Sequence, residues 1–242
     1  MDALIYTAMS GAERALKAQQ VHANNLANMD TAGFRADMEM STARSLMGAS
    51  GYDDRHMAQL QSNTVSTRAG TVKATGRELD VAVAGDGYLA VQWQNGEAYT
   101  RNGALTLGPD GALTLDGRAV LGEGGPITLP EHTRLEISAD GTISIQVPGK
   151  ADMQGVDKLK FVKAEGAELQ KNEAGLLVAK NGAPLAADAT VTVRPGHLEG
   201  SNVSAVEEMV ATMSLNRTFE IQMKLFKASD AMTEAGNHLV GA

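Results

Sequence analysis

The stretch SAVEEMVATMSLNRTFEIQMKLFKASDAMTEAG, residues Ser204–Gly236, contains no Pro, and no Gly before its last residue. It opens on Ser204-Ala-Val-Glu207. This is a capping box, in which the serine and glutamate side chains each bond an amide that the first helical turn leaves open. The pattern predicts a helix of about 32 residues, about 48 Å long at 1.5 Å per residue. Val206, Met209, Val210 and Met213 fall at i, i+3, i+4 and i+7, one helical stripe. Phe219, Met223 and Phe226 make a second stripe, and Ile221, Leu225, Ala228 and Met232 a third. These stripes do not share a face. A surface helix of a small domain buries one stripe, so apolar side chains on several faces imply several neighbours. An ordinary buried helix of a large all-α core is the alternative, and the non-helical character of the middle of the chain argues against it.

The opposite end of the chain carries a second helix. Between Asp2 and about Asn28 there is no Pro and one Gly, Gly11. Ile5, Ala8, Met9 and Ala12 form a stripe that Leu16, Ala23 and Leu26 continue. Asp2 is the expected N-cap. The helix is expected to stop near Asn28, because Asp30, Thr31 and Gly33 form a turn cluster in which Gly33 can take positive φ. Asn24, Asn25 and Asn28 are poor helix formers. They read either as a terminating C-cap or as side chains that hydrogen-bond to a neighbouring helix.

Between the helices the period changes. Leu79, Val81 and Val83 alternate, as do Leu89 and Val91, Leu105 and Leu107, Leu113 and Leu115, and Ile143, Ile145 and Val147. Gly85-Asp86-Gly87, Pro109-Asp110-Gly111, Asp116-Gly117, Asp140-Gly141 and Asn181-Gly182 read as hairpin turns. The expected class is α+β: long N- and C-terminal helices paired as a stem, with an inserted antiparallel β domain, a sandwich or rolled sheet. The expected boundaries are an assembly helix and turn over 1–36, a polar, irregular and extended linker over 37–75, a β-rich domain over 76–195 and a second assembly helix over 196–242.

Composition narrows the function. The chain of 242 residues carries 21 basic and 29 acidic side chains, a formal charge of −8, which argues against a nucleic-acid partner. Cysteine is absent, removing disulfides, sulfur-bound zinc and thiol nucleophiles. The N-terminus lacks the basic start and apolar core of a cleaved secretory signal, and no run is apolar enough to insert in a membrane. The five histidines have no second ligand at i+3 to i+5, so they read as structural. Leu121-Gly-Glu-Gly-Gly-Pro126 lacks the GK[ST] ending of a phosphate loop and reads as a turn. The Asp-Gly pairs lack the upstream acids of a calcium loop, and Glu207-Glu208 sits where a helix dipole favours negative charge. Neither an enzyme activity nor a cofactor or metal is expected. The rival class, a cell-wall-cleaving enzyme on the β domain, needs two carboxylates facing a cleft, and no pair can be assigned to that role.

Three ordered motifs resemble one known family. Tyr6-Thr-Ala-Met-Ser-Gly-Ala12, Ala23-Asn-Asn-Leu-Ala-Asn28 and Thr31-Ala-Gly-Phe-Arg35 at the N-terminus are similar to the signature of flagellar basal-body rod and hook proteins. So are Thr75–Tyr88 and Tyr99-Thr-Arg-Asn-Gly103 in the middle, and Gly196-His-Leu-Glu-Gly-Ser-Asn-Val203 before the last helix. Met29-Asp30 departs from the Val-Ser or Val-Asn pair more usual there. The opening residues look most like the proximal rod members; the distal rod members are the alternative. The resemblance implies a structural subunit of the rod that polymerises helically. Its terminal helices would form an inner tube, and other rod proteins would be its neighbours. It also implies export through the flagellar type III apparatus without a cleaved signal, and a place in the basal-body rod that spans the periplasm. The residues this assigns to assembly are Ile5, Met9, Leu16, Asn24, Asn25, Leu26, Asn28, Gly33, Val206, Met209, Met213, Phe219, Met223 and Phe226. Phe34 and Met38, an aromatic and an apolar residue four apart, are the export-signal candidate; Phe34 could instead pack back to pin the turn at Gly33.

Overall fold

Ser204 starts the C-terminal helix as its sequence requires. The Glu207 amide donates to its Oγ at 3.4 Å and the Glu208 amide to its carbonyl at 3.0 Å. The structure is a computed structural model that describes residues 2–45, 56–94, 96–150, 152–166 and 168–240. Two helices flank the chain, α1 over Asp2–Ala27 and α2 over Ala205–Val240. α2 continues through Gly236, where the sequence suggested a stop; one helical Gly costs only about 1 kcal/mol relative to Ala and need not end a helix. α1 ends where expected. The Asn28 carbonyl accepts the Thr31 amide at 3.2 Å, and Gly33 turns the chain at φ +66°. The expected cap Asp2 has its side chain outside the described residues.

The chain divides into two units. The helical unit takes the described residues of 1–27, 37–64 and 204–242; the β-rich unit is Asn28–Ala36 with Val65–Val203. The expected α+β class holds. The irregular linker does not: Asp37–Ser45 and His56–Val65 are strands, paired as a two-stranded sheet. Their polar sequence has no apolar alternation to betray them. Part of what fixes the first strand is a side chain, since Asn25 grips both backbone groups of Asp37 (2.8 Å to its amide, 3.0 Å to its carbonyl).

In the β-rich unit every strand pair with a recorded register is antiparallel. The largest sheet orders its strands Phe161–Lys163, Gly87–Trp93, Gly96–Thr100, Leu177–Ala179, Leu169–Lys171. Its second strand, Gly87–Trp93, is buried on both faces. Leu89 and Val91 join a core with Val81, Leu113, Ile143, Ile145 and Phe161, while Tyr88 and Ala90 join a second with Tyr99, Val162, Leu169 and Leu177. Asp116 and Gly117, at φ 49° and 77°, form a two-residue turn between strands Leu113–Leu115 and Arg118–Ala119, as positive φ at both turn positions demands. The glycine-rich Leu121–Pro126 is a hairpin, with Leu121 opposite Pro126. Gly85-Asp86 is a turn but not a hairpin within one ladder: Val81–Ala84 pairs with Thr192–Pro195 instead.

Candidate assembly interface

Within the helical unit, α1 and α2 pack antiparallel: Gly11 lies against Gln222 and His22 against Glu208. The buried side chains of α1 are small. Ala8, Ala12, Ala15 and Ala18 are buried, with Ser10 and Asn25. At Gly11 an added Cβ would stand 3.0 Å from the Gln222 side chain. The less exposed positions of α2 among the described residues are Ala205, Glu208, Ala211, Thr212, Leu215, Phe219, Gln222, Ser229, Thr233 and Gly236, most of which follow a 3.5-residue repeat. Eight of these ten are small or polar, and Leu215 and Phe219 are the exceptions. Thr212 and Thr233 satisfy their hydroxyls on the carbonyls of Glu208 and Ser229, four residues back.

The large apolar side chains of α2 point elsewhere. Val206 is 68% exposed and Met213 71%, and Met209, Val210, Ile221, Met223, Leu225, Phe226 and Met232 are exposed as well. On α1, Tyr6, Met9 and Leu16 are exposed. Of the residues assigned to assembly, Asn25 and Gly33 are buried, Ile5, Leu26, Asn28 and Phe219 are half-buried, and Asn24 is exposed. Of the export pair, Met38 is exposed, and the Phe34 ring lies beneath the Lys171 ammonium, 3.7 Å from its centroid.

A polar anchor fixes the register of the two helices. Glu208 pairs with His22 Nδ1 and accepts Asn25 Nδ2 at 3.2 Å. Asn25 is 1% exposed and also holds Asp37, so one side chain ties α1 to α2 and to the first strand. Of the two readings of the Asn cluster, the bond to a neighbouring helix accounts for Asn25. Asn28 caps locally, accepting the Thr31 hydroxyl at 3.2 Å. The reading of Glu208 as a dipole partner missed its contact across the helices, and the reading of the histidines as structural did not single out the pairing of His22.

The β-rich unit holds a charge cluster that the sequence reading did not foresee. The Glu199 carboxylate lies between Arg35 Nη2 at 3.0 Å and Arg101 Nη1 at 3.1 Å, all three side chains at most 3% exposed. Arg101 also donates to the carbonyls of Val83 (2.9 Å) and Gly85, and its guanidinium stacks 5.1 Å from the Tyr88 ring centroid. Burial pulls the Arg101 guanidinium below its ordinary range, as does the Arg35 charge, with Glu199 opposing. Such a buried arrangement is weak evidence for stability, and its better-attested use is to specify one geometry. Arg35, Arg101 and Glu199 come from three separate motifs quoted above, Thr31–Arg35, Tyr99–Gly103 and Gly196–Val203. Each motif was visible in the sequence; that they converge on one carboxylate was not.

Three family profiles match. "Flagella basal body rod protein" covers residues 5–35, "Flagellar hook protein FlgE/F/G D1 domain" 82–145, and "Flagellar basal body rod FlgEFG protein C-terminal" 194–239. The chain is 43% identical to the flagellar basal-body rod protein FlgF of Salmonella typhimurium and 41% identical to that of Escherichia coli, each over 99% of both chains. It is 29% identical to the rod protein FlgG of Bacillus subtilis, over 95% of this chain and 96% of that one. The FlgF likeness is the stronger of these, which sets aside the distal rod alternative and the cell-wall enzyme. The chain belongs to the FlgF family of flagellar basal-body rod proteins.

Proposed function

We propose that this chain is a structural subunit of the proximal rod, without enzymatic activity, which polymerises helically through α1 and α2. The two helices serve as a stem from which the β-rich domain is inserted. Repetition of one non-closing contact generates a filament rather than a ring, part of the drive shaft and export channel that transmits torque. Its neighbours are copies of itself and other rod proteins, and its place is the rod across the periplasm. It reaches that place through the flagellar type III export apparatus without a cleaved signal, with Phe34 and Met38 as the element read. Among the described residues no helix is long and apolar enough to cross a membrane.

The observation that carries the reading is the inverted distribution on α2. Apart from Leu215 and Phe219, the less exposed positions of α2 are small or polar, while nine large apolar side chains, from Val206 to Met232, are exposed. Each is worth about 1.5–3 kcal/mol when buried, and a protomer that leaves a patch of this kind open is built for partners. The absence of cysteine makes the test clean. A single Met213→Cys thiol should react with maleimide in the free chain and be protected in isolated basal bodies. Equal labelling in both would exclude this face from the assembly.

A further inference from the structure

The chain passes between its two units four times, at 27/28, 36/37, 64/65 and 203/204. On the β-rich side, the residues beside these passages are held mainly by one another. Gly33 N donates to the Glu199 carbonyl at 2.7 Å, Asn202 N to the Phe34 carbonyl at 3.2 Å, and Ala36 N to Asn202 Oδ1 at 2.7 Å. Asn202 Nδ2 donates to the Arg68 carbonyl at 2.7 Å, and Arg68 Nη2 to the Asn202 carbonyl at 3.0 Å. Ser66 N donates to the Ala36 carbonyl at 2.9 Å, Gly70 N to Glu199 Oε1 at 2.8 Å, and Arg35 to the Arg68 carbonyl. No residue of 33–36, 66–70 or 199–202 belongs to either apolar core of the unit.

We infer that this network is a reciprocal lock, in which the segment that follows α1 is ordered by the segment that precedes α2. Without Glu199 and Asn202, three things happen at once. Gly33 N, Phe34 O and Ala36 N lose their partners, the Arg35 charge loses its carboxylate, and the Arg68 carbonyl loses a donor. Buried donors left unmade cost more than the bonds contribute when formed, and a buried charge stripped of its partner costs more again. Apolar burial offers 33–36 little in return, apart from the Phe34 ring beneath Lys171. The dependence runs both ways but is stronger for 33–36, because 199–202 is bound through 33–36 and 66–70 and also through Thr71, Val72 and Arg101. Sequence order gives the lock a direction in time: the N-terminal segment stays open until the last tenth of the β-rich unit has been made. Two ends remote in sequence then become fixed to the β-rich unit in one step. The lock is a property of that unit alone; its consequence, that both assembly helices become rooted together, rests on the assembly reading above.

Hydrogen exchange followed by mass spectrometry on the full chain tests it, comparing wild type with Glu199→Gln and Asn202→Ala. Amides of 30–36 and 66–70 should exchange about tenfold faster or more in both variants. Amides of strands Gly87–Trp93 and Thr142–Gln146 should keep their wild-type rates. Unchanged exchange in 30–36 overturns the lock. So does acceleration shared equally by the two core strands, which would make the network a general stabiliser of the unit. Asn202→Ala leaves all three charges in place and carries the test if Glu199→Gln does not fold. Swimming is scored separately: a variant that opens 30–36 and still swims removes the consequence for assembly and leaves the lock standing.

Discussion

Met213→Asp separates what α2 does for its own subunit from what it does for a neighbour. In the free chain the Met213 side chain is 71% exposed. Surface substitutions of that kind usually change stability by at most about 0.5 kcal/mol, and the poorer helix propensity of Asp adds roughly another 0.5 kcal/mol. The purified chain should therefore melt within a few degrees of wild type, about 2–4 °C per kcal/mol for a chain of this size. In a rod that buries this face, the change forfeits about 1.5–3 kcal/mol of apolar burial. It also asks an ionised carboxylate to leave water, which costs several kcal/mol more unless it is neutralised or paired. At 1.4 kcal/mol per factor of ten, a total near 4 kcal/mol weakens each subunit contact by roughly a thousandfold, and every added subunit meets the same penalty. Circular dichroism of the purified chain, immunoblots of isolated basal bodies and soft-agar swimming read the three quantities. Loss of incorporation and motility with a near-normal melt is expected. Normal incorporation would refute the reasoning, and so would a collapse of the melt, which would show that Met213 supports its own helix pair.

Four further substitutions test local features of the fold. Gly33→Ala should cost more than about 2 kcal/mol in urea unfolding, because the new Cβ would land on the backbone of Arg101 and Asn102 at a φ of +66°; Gly85→Ala, also at positive φ but with nothing within 4 Å, should cost only the roughly 1–2 kcal/mol of the left-handed conformation. Asn25→Ala strands Asp37 and one Glu208 oxygen together and should lower stability by about 1–3 kcal/mol, with exchange rising first in Asp37–Ser45. Burial, with the Glu97 charge beside it, pushes the Tyr99 phenol up to about 12 from an ordinary 10. A raised folded value means that its contribution is whole below about pH 10 and lost as pH rises through about 12, so Tyr99→Phe should flatten the alkaline fall in stability measured by urea unfolding.

Both helices and several strands were legible because their signals are local. The Ser204 bond of the capping box and the hairpin turns at Pro109-Asp110-Gly111, Asp116-Gly117 and Asp140-Gly141 act through bonds between residues a few positions apart, and they hold in the structure; Gly85-Asp86-Gly87 and Asn181-Gly182, also expected as hairpin turns, do not join paired strands. The strands at 37–45 and 56–65 were not legible, because backbone pairing and the grip of Asn25 on Asp37 hold a polar ribbon that lacks a two-residue apolar period. The helix end at Gly236 was misread for the opposite reason: a local signal of about 1 kcal/mol was outweighed by the continuing helix. Convergence of Arg35, Arg101 and Glu199 is a tertiary fact. Each motif was visible alone, but nothing within any of them says that one carboxylate will serve both guanidinium groups.

The apolar stripes of α2 exceed what the single chain buries; the pairing of the two helices was expected from the sequence, but the face that makes it was not. A search for large apolar side chains at helical spacing passes over Ala8, Gly11, Ala15 and Ala18, which step by three and four along α1 and make up the face turned inward. Small side chains bury little area, so their pairing with α2 contributes less hydrophobic free energy than Leu or Met in the same places would. What they leave is room for the side chains of α2, seen at Gly11, against which the end of the Gln222 side chain lies. A pair held this way needs another means of choosing its register, since a smooth seam of alanines can slide by a turn at low cost. His22, Asn25 and Glu208 supply that choice at one end, where a slip would leave a buried Asn and two ionisable groups without partners. The division of labour is then physical: polar groups set the pairing within a subunit, and most large apolar side chains of α2 stay exposed in the single chain, available for the assembly contacts proposed above.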